Sequence, residues 1–414
     1  MQNFNVRVSI FFIFTKNSKS IPNYFNLNFT YVFIKFNLTK LKFKLIDYTI
    51  FQIHVKNIYK KLIIWIIKQF SFEEKLASLN KIINHRKDNN KIQTILGYFT
   101  DYHGKKYKLI EGLRDEIKPN WESASKKKNY KNNISNEAVK DQLNNSKSQL
   151  DMLERLISIH SISINPEMDI LEIGAANGAG TFQIASKKPK SIIGSDIVEY
   201  QINQTVNAHI DKKSKELERK CYDLSRQKVG SFFNKEILNI VSFLEDDICQ
   251  SKIKSNSKDL IFSWDTLEHL SNPQNAFKEM FRILKPGGFT FHQYNPFFSF
   301  NGGHSLCTLD FLWGHVRLSS SDFENYLKQF RPNEYEIALS FYKNNLNRMT
   351  INQLKKYISL AGFEFVTFFP NVNIENYYMV TEKIYADCKH NYPLLELIDL
   401  VSPEIWIGLK KPFV

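Results

Sequence analysis

Sulfur is scarce in this chain: 414 residues hold four cysteines, Cys221, Cys249, Cys307 and Cys388. They are scattered and show no C-x-x-C spacing. This argues against a disulfide framework and against a cysteine-ligated zinc site, and it suits a reducing cytoplasm. Long apolar runs are missing as well. Leu62–Ile67 is six residues between Lys61 and Lys68, far short of the ~18–20 that a spanning helix needs. Val8–Phe14 resembles a signal-peptide core only loosely, with one Arg before it and no small-residue cleavage site after it. Acidic residues are nearly absent from one end, where Asp47 stands alone within 1–70.

What is present is a soluble composition, 43% hydrophobic and 24% charged, long enough for an ample core. The formal net charge of +14 is unevenly spread. Residues 1–150 carry 27 Lys and Arg against 11 Asp and Glu, whereas 151–414 carry 29 against 31. The larger part is therefore nearly neutral and lacks the basic footprint of a nucleic-acid reader.

Residues 1–70 form a basic segment rich in Phe, Asn and Lys, with neither helical period nor clean alternation. After Met1 the next methionine is Met152. Two readings follow: an extension upstream of the true start, or a genuine segment that touches a membrane surface or a partner. Residues 71–150 are read as a helical and linker region. It has two short helical pieces around a Gly97–Asp101 turn, a polar linker at 119–136 and a helix from about 137 to 160. From 151 to 414 strand and helix patterns alternate, which implies a parallel sheet covered on both faces. Strands are expected at 168–174, 191–196, 239–245, 259–264, 288–294, 363–369 and 404–410. Helices are expected at 179–187, 200–218, 272–284, 350–361 and 378–400. The stretch 297–349 breaks the rhythm and is read as a mostly helical insertion on the ligand side of the sheet.

Five pieces of this region carry chemistry. Asp169-Ile170-Leu171-Glu172-Ile173 runs into the small-residue turn Gly174-Ala175-Ala176-Asn177-Gly178. Such a strand–turn–helix lets backbone approach a ligand closely. Ser191–Asp196 is a strand ending in an acid that can accept hydrogen bonds from both hydroxyls of a ribose. Val241–Ile248 ends in the acidic run Glu245-Asp246-Asp247. Asp259–Leu270 contains Leu267-Glu268-His269, and Leu284-Lys285-Pro286-Gly287-Gly288 stops a helix before the next strand.

In order and spacing these pieces resemble class I S-adenosylmethionine-dependent methyltransferases over roughly 168–412. The likeness is greatest to the branch with a Leu-Glu-His step and a Leu-Lys-Pro-Gly-Gly turn. The resemblance implies an α/β, Rossmann-like, doubly wound sheet of seven strands in the order 3-2-1-4-5-7-6, the last antiparallel, with S-adenosylmethionine as cofactor. Carried over by position, Glu172, Gly174, Ala176 and Gly178 line the methionine and ribose part. Asp196 holds the ribose, Asp247 and Ile248 the adenine, Ser263 lies near the sulfonium, and Ile197 belongs to the same cofactor site. Ala176 departs from the family's middle glycine, and its methyl group narrows the gap.

The Asp265-Thr266-Leu267-Glu268 step reads first as a capping box. Asp265, Glu268 and His269 also fall at i, i+3 and i+4, as in ubiquinone-type O-methyltransferases, and such a face can hold a divalent ion or an acid–base cluster. Capping is the reading adopted, and no metal is assigned. His292 at the end of the fifth strand and His269 are the candidate catalytic residues. In the insertion, His304, Trp313, His315, Arg317 and Arg348 form a polar and aromatic set suited to a polyhydroxylated or anionic acceptor. No Asn/Asp-Pro-Pro-Tyr step follows the fourth strand, which leans toward O-methylation of a small molecule or sugar. A lipid-linked aromatic of quinone type and a non-catalytic binding role are the alternatives. A nicotinamide-dependent dehydrogenase requires Gly-x-Gly-x-x-Gly, which the turn lacks. A nucleic-acid methyltransferase would use residues 1–150 as a basic clamp, and no nucleic-acid partner is expected.

Overall fold

The computed structural model describes residues 94–119, 121–122, 135–197 and 212–413, with the backbone of 9–11 and 33–35. The chain forms two compact units, 1–88 and 89–414. The described part of the first is an antiparallel ribbon of β1 (Ser9–Phe11) and β2 (Phe33–Lys35). The expectations for 1–70, the first of the two helical pieces expected from residue 71 onward, and most of those for 119–136 lie outside the described residues.

Within the described residues 94–119, the second unit shows a hairpin, β3 (Ile95–Thr100) and β4 (Lys106–Ile110), where the sequence reading has a turn and the second of its two short helices. Only α1 (Leu113–Ile117) is helical there. The segment Gly97–Asp101 is mostly strand because its side chains alternate: Tyr98 is exposed, while Phe99, and Tyr107 and Leu109 opposite, are buried. The turn lies one step later, where the Asp101 carboxylate accepts the backbone N–H groups of His103 and Lys105 at 3.0 and 2.8 Å. Next comes α2 (Asn136–Ile159), started by the Ser135 hydroxyl, which accepts from the Ala138 N–H at 3.1 Å. Its Val139, Leu150, Leu153 and Ile157 face the sheet.

The sheet and its helices follow in sequence. These are β5 (Asp169–Ile173), α3 (Ala179–Ala185), β6 (Ser191–Asp196), α4 (Lys212–Gly230), α5 (Lys235–Ile240), β7 (Val241–Glu245), β8 (Lys258–Ser263), α6 (Pro273–Ile283) and β9 (Leu284–Tyr294). After the insertion come α7 (Ile351–Ala361), β10 (Glu364–Asn371), three short helices α8 (Ile374–Met379), α9 (Glu382–Asn391) and α10 (Leu397–Val401), and β11 (Glu404–Lys410). The spatial order is β10-β11-β9-β8-β5-β6-β7. Counted from β5 as the first strand, this is the expected 3-2-1-4-5-7-6 order. β5 through β9 run parallel, and β11 is antiparallel to both neighbours.

Three boundaries differ from the sequence reading, each for a local reason. The strand expected from 239 begins at Val241 because Asn234 caps α5 just before it. The helix expected at 200–218 runs on to Gly230, and the part of that expectation before Lys212 lies outside the described residues. The single helix expected over 378–400 is three, interrupted where Thr381 starts a new cap and where Pro393 follows α9. The Lys-Pro-Gly-Gly step is a bulge: Leu284 pairs with Lys258, but Phe289 pairs with Leu260, and Gly287 takes a φ of +81°.

Two cores flank the sheet. One is built on α2 and α3 around Phe182, Phe262 and Phe291, the other on α6 and α7 around Phe277, Met280 and Leu354. A third lies within the insertion and takes in the inner face of the β3–β4 hairpin. The insertion is helical, as expected, with its two longest pieces at Ser320–Phe330 and Tyr335–Asn344.

Helix α7 re-enters the sheet from the insertion through a reciprocal cap. The Gln353 N–H donates to the Thr350 hydroxyl at 3.2 Å, and the Thr350 N–H donates to Gln353 Oε1 at 3.0 Å. Thr350→Ala is expected to cost about 1 kcal/mol in urea denaturation, and Thr350→Ser to restore most of it. Equal stability of all three proteins would contradict this role for the cap.

Candidate functional site

A cavity of about 440 Å³ opens beyond the carboxyl ends of β5, β6, β7 and β8. β5 and β8 are where the strand order reverses, the place at which doubly wound sheets bind ligands. Ile173 and Gly174 reach it from β5; Ser195, Asp196 and Ile197 from β6; Asp246, Asp247 and Ile248 from the turn after β7. Trp264, Asp265, Thr266, His269, Leu270 and Ser271 follow β8, and Asn344 and Asn345 come from the insertion.

Asp196 holds this wall together. Its carboxylate accepts the Ala176 N–H at 2.6 Å and the Ile197 N–H at 2.7 Å. Ala176 pays for the contact with a φ of +42°, a region costly for a residue with a Cβ. The family's glycine at this place would adopt it without strain. The Ala176 carbonyl accepts from Arg226 Nε at 3.0 Å, and the Arg226 guanidinium stacks 4.5 Å from the Phe243 ring. Gly174, with φ of +77°, sits so close to Thr266 that a Cβ would fall 2.3 Å from its hydroxyl.

Of the nine residues assigned to the cofactor, Gly174, Ala176, Asp196, Ile197, Asp247 and Ile248 line the cavity, while Glu172, Gly178 and Ser263 stand behind it. Gly178 begins α3, where a Cβ would collide with the Phe243 ring. Glu172 is buried, takes a hydrogen bond from the Thr181 hydroxyl, and occupies the space that a Cβ on Gly180 would need. Asp246, left aside in the sequence reading, also reaches the cavity. Its carboxylate closes the turn by accepting from the Lys252 N–H at 2.8 Å and the Ser251 hydroxyl at 2.5 Å. Asp247 accepts from the Cys249 N–H at 2.9 Å.

The two candidate catalytic histidines part company. His292 is 2% exposed and does not face the cavity. Its Nδ1 meets the Ser263 hydroxyl at 2.7 Å and its Nε2 the Thr290 hydroxyl at 2.6 Å, so both nitrogens are engaged inside the sheet. Burial pulls its pKa down to about 3 and keeps it neutral. The catalytic expectation for His292 is corrected accordingly. His269 does line the cavity, with Nδ1 2.6 Å from the Asn345 carbonyl oxygen. Burial lowers its pKa to about 4.

The capping-box reading also gives way. Thr266, not Asp265, precedes the helical turn, and that turn is the single 3₁₀ turn Leu267–His269. Thr266 donates to the Ile173 and Trp264 carbonyls and makes no cap. Asp265 has a φ of +47° and accepts from the Asn295 side chain.

Of the set expected to meet the acceptor, none lines the cavity. Trp313 and His315 are each 1% exposed in the insertion core. His315 Nε2 is 2.9 Å from the Phe297 carbonyl oxygen. Arg317 forks onto Asp387 at 2.9 and 3.0 Å, and Arg348 donates to the carbonyls of Leu346 and Tyr342. His304 lies beside His269, with ring centres 5.3 Å apart. Residues that sequence reasoning missed are Trp264, Leu270, Asn344, Asn345 and Tyr222. The helical spacing of Tyr222 and Arg226 was available, but that helix was expected to end at 218.

Two predictions follow from the buried groups. Burial, reinforced by the Asp196 charge, raises the Glu172 pKa from 4.5 to about 8. Below the unfolded value both states hold the proton; between the two values only the unfolded chain releases it. Native stability therefore falls as pH rises through this window. Glu172→Gln is expected to flatten that fall in thermal denaturation; identical pH profiles would contradict it. His292→Phe leaves two buried hydroxyls unpaired and is expected to cost about 1–3 kcal/mol, with ligand binding in the cavity retained. Normal stability with abolished turnover would restore a catalytic role.

Comparison with known proteins bears on the same region. The sterol 24-C-methyltransferase of Aspergillus fumigatus is 26% identical over 129 residues, covering 31% of this chain and 28% of that protein. Phosphoethanolamine N-methyltransferase 1 of Zea mays is 23% identical over 130 residues, 31% of this chain and 21% of that one. The chain thus spans under a third of the length of these curated relatives. Among solved structures, phosphoethanolamine N-methyltransferase 2 of Haemonchus contortus aligns with 64% of this chain and 53% of its own, at 18% identity and a TM-score of 0.35. A family model described as a methyltransferase domain matches residues 147–367, more than half of the chain. With that match and the 3-2-1-4-5-7-6 sheet, the chain belongs to the class I S-adenosylmethionine-dependent methyltransferase family.

Proposed function

We propose that the protein transfers the methyl group of S-adenosylmethionine to an oxygen of a small molecule with an apolar or aromatic body. The observation that carries the reading is the placement of Asp196 at the tip of β6, facing a cavity at the sheet's switch point. The volume of about 440 Å³ falls within the ~300–1,000 Å³ typical of small-molecule sites. Each oxygen of Asp196 accepts one backbone N–H and keeps a further lone pair for a ribose hydroxyl. Ile197 and Ile248 supply apolar contacts for an adenine, and Asp247 an acceptor for its amino group.

The cofactor supplies a sulfonium methyl that is already a strong electrophile, so the protein's main task is alignment. Gly174, Thr266 and Trp264 line the cavity together with His269, Leu270 and Asn345, and the reading assigns the last three to the acceptor. The sequence after β8, Ser263-Trp264-Asp265-Thr266, lacks the Pro-Pro-Tyr step of many amino-group methyltransferases, which favours oxygen. A sugar or glycan acceptor loses its support, because the polar residues of the insertion that suggested it are packed away from the cavity. Trp264 and Leu270 instead favour an aromatic acceptor, such as a quinone-type phenol. No helix among the described residues is long and apolar enough to cross a membrane.

Calorimetric titration with S-adenosylhomocysteine tests the reading. Micromolar binding is expected, weakened at least about tenfold in Asp196→Ala, as suits the loss of hydrogen bonds to a charged group worth ~1.5–3 kcal/mol. A folded wild-type protein that binds nothing would overturn the proposal. If binding holds, incubation with labelled cofactor and a panel of phenols, catechols and sugars is expected to label phenols first.

A further inference from the structure

Glu268 is the most anomalous group in the molecule. It is 0% exposed, and neither carboxylate oxygen has a hydrogen-bond partner. A buried carboxylate left without donors costs several kcal/mol unless something neutralises it. The residues beside it are metal-ligating types. One ligand atom each from Glu268, His269 and His304 lie within 4.8 Å of one another. His304 Nε2 is buried and also has no hydrogen-bond partner.

Tautomers are set by the surroundings. A carbonyl oxygen can only accept, so His269 Nδ1 carries the proton that it donates to Asn345, and Nε2 carries the lone pair. This is the arrangement in which an imidazole is oriented for a cation by a backbone carbonyl on its other nitrogen.

The frame around the three groups is fixed from two directions. Asn347 clamps the Leu267–Leu270 turn: its N–H donates to the Glu268 carbonyl at 2.8 Å, and its side chain donates to the Leu267 and Leu270 carbonyls at 2.7 and 3.2 Å. His304 is held by a closely packed loop. A Cβ on Gly302 would fall 2.2 Å from the Phe297 carbonyl oxygen, and His304 itself has a φ of +51°. Such strained backbone persists only where the surroundings impose it.

We infer that Glu268, His269 and His304 form a binding site for a first-row divalent cation, with one ligand supplied by the insertion. The donor set of two imidazoles and one carboxylate suits Zn²⁺, Fe²⁺ or Co²⁺ better than Mg²⁺ or Ca²⁺, which take oxygen ligands. Ligands about 2.1 Å from a cation lie roughly 3.4 Å apart in a tetrahedron. A contraction of about 1.4 Å at most therefore closes the site.

The inference deepens the methyl-transfer reading and rests on it for its purpose, not for its existence. His269 is the ligand that also lines the cavity, among the residues that the methyl-transfer reading assigns to the acceptor. A cation there lowers the pKa of an acceptor hydroxyl that reaches it. The hydroxyl proton passes to solvent, the bond between sulfur and the methyl carbon breaks, and the bond from that carbon to oxygen forms.

The test uses the purified full chain, stripped with a chelator and titrated with Co²⁺. One equivalent is expected to bind, with visible d–d bands, and Zn²⁺ is expected to displace it and raise the Tm. Glu268→Gln and His304→Gln are expected to weaken Co²⁺ binding at least about 100-fold, whereas His103→Gln, at an exposed histidine, leaves it unchanged. S-adenosylhomocysteine binding by each variant reports that it is folded. Wild-type protein that takes up no stoichiometric Co²⁺, or variants that bind it as tightly as wild type, would overturn the site and leave a proton shared among the three groups. Stoichiometric Co²⁺ in a protein that binds no S-adenosylhomocysteine would uphold the site and sink the methyl-transfer reading instead.

Discussion

The carboxylate of Asp196 ties the turn after β5 to the tip of β6, and the shape of the cavity depends on that tie. β5 and β6 are already parallel neighbours, with Ile173 paired to Ser195. Sheet hydrogen bonds alone would leave the two strand ends to diverge. The Ala176 and Ile197 N–H groups converge on one side chain instead, while the Gly174 and Ala175 N–H groups both donate to the Ser195 carbonyl at 2.9 and 3.0 Å. Behind this wall, Glu172 fills the space left by the missing side chain of Gly180. Binding surface and core are therefore one continuous packing arrangement, and a ligand that meets Asp196 meets a group whose position is already determined.

The insertion plays a different part from the one its composition suggests. Its arginines and aromatic residues are engaged in packing: Arg317 on Asp387 of α9, Arg331 together with Arg114 of α1 on Glu334, and Phe323 stacked on Tyr342 with ring centres 4.0 Å apart. Only the far end of its last long helix touches the cavity, through Asn344 and Asn345. From there Asn347 reaches back to hold the Leu267–Leu270 turn. The insertion thus acts as a brace on the loop after β8, and it positions that loop through backbone carbonyls and amides rather than through its charged side chains.

The fold was legible in the sequence because each strand of the parallel sheet is a short apolar run, and the acid, turn or glycine that ends it falls at a fixed spacing. The cavity wall of Gly174, Ala176, Asp196, Ile197, Asp247 and Ile248 was legible for the same reason, since backbone turns are local. The packing of the insertion was not. Arg317 and Arg348 look identical in sequence whether they face solvent, ligand or a partner carboxylate, and their partners lie far along the chain. His292 carried the opposite ambiguity: its position at a strand's carboxyl end was right, but strand alternation turned it into the sheet, toward Ser263 and Thr290. The hairpin at 95–110 was missed because Gly97 and Asp101 were read as turn residues before the alternation of Tyr98, Phe99, Tyr107 and Leu109 was weighed.

Charge gives the cavity a direction of preference. Asp196, Asp246, Asp247 and Asp265 line it, and no lysine or arginine among the described residues does. Glu172 and Glu268 lie buried just behind, each pushed up in pKa first by desolvation and then by a neighbouring carboxylate. Asp196 opposes the ionisation of Glu172 and Asp265 that of Glu268, so each pair gains when a cation enters. A sulfonium compound brings such a charge, and the demethylated product no longer carries it. The electrostatic attraction that draws the methyl donor in therefore weakens once the methyl group has left, which favours exchange of product for fresh donor.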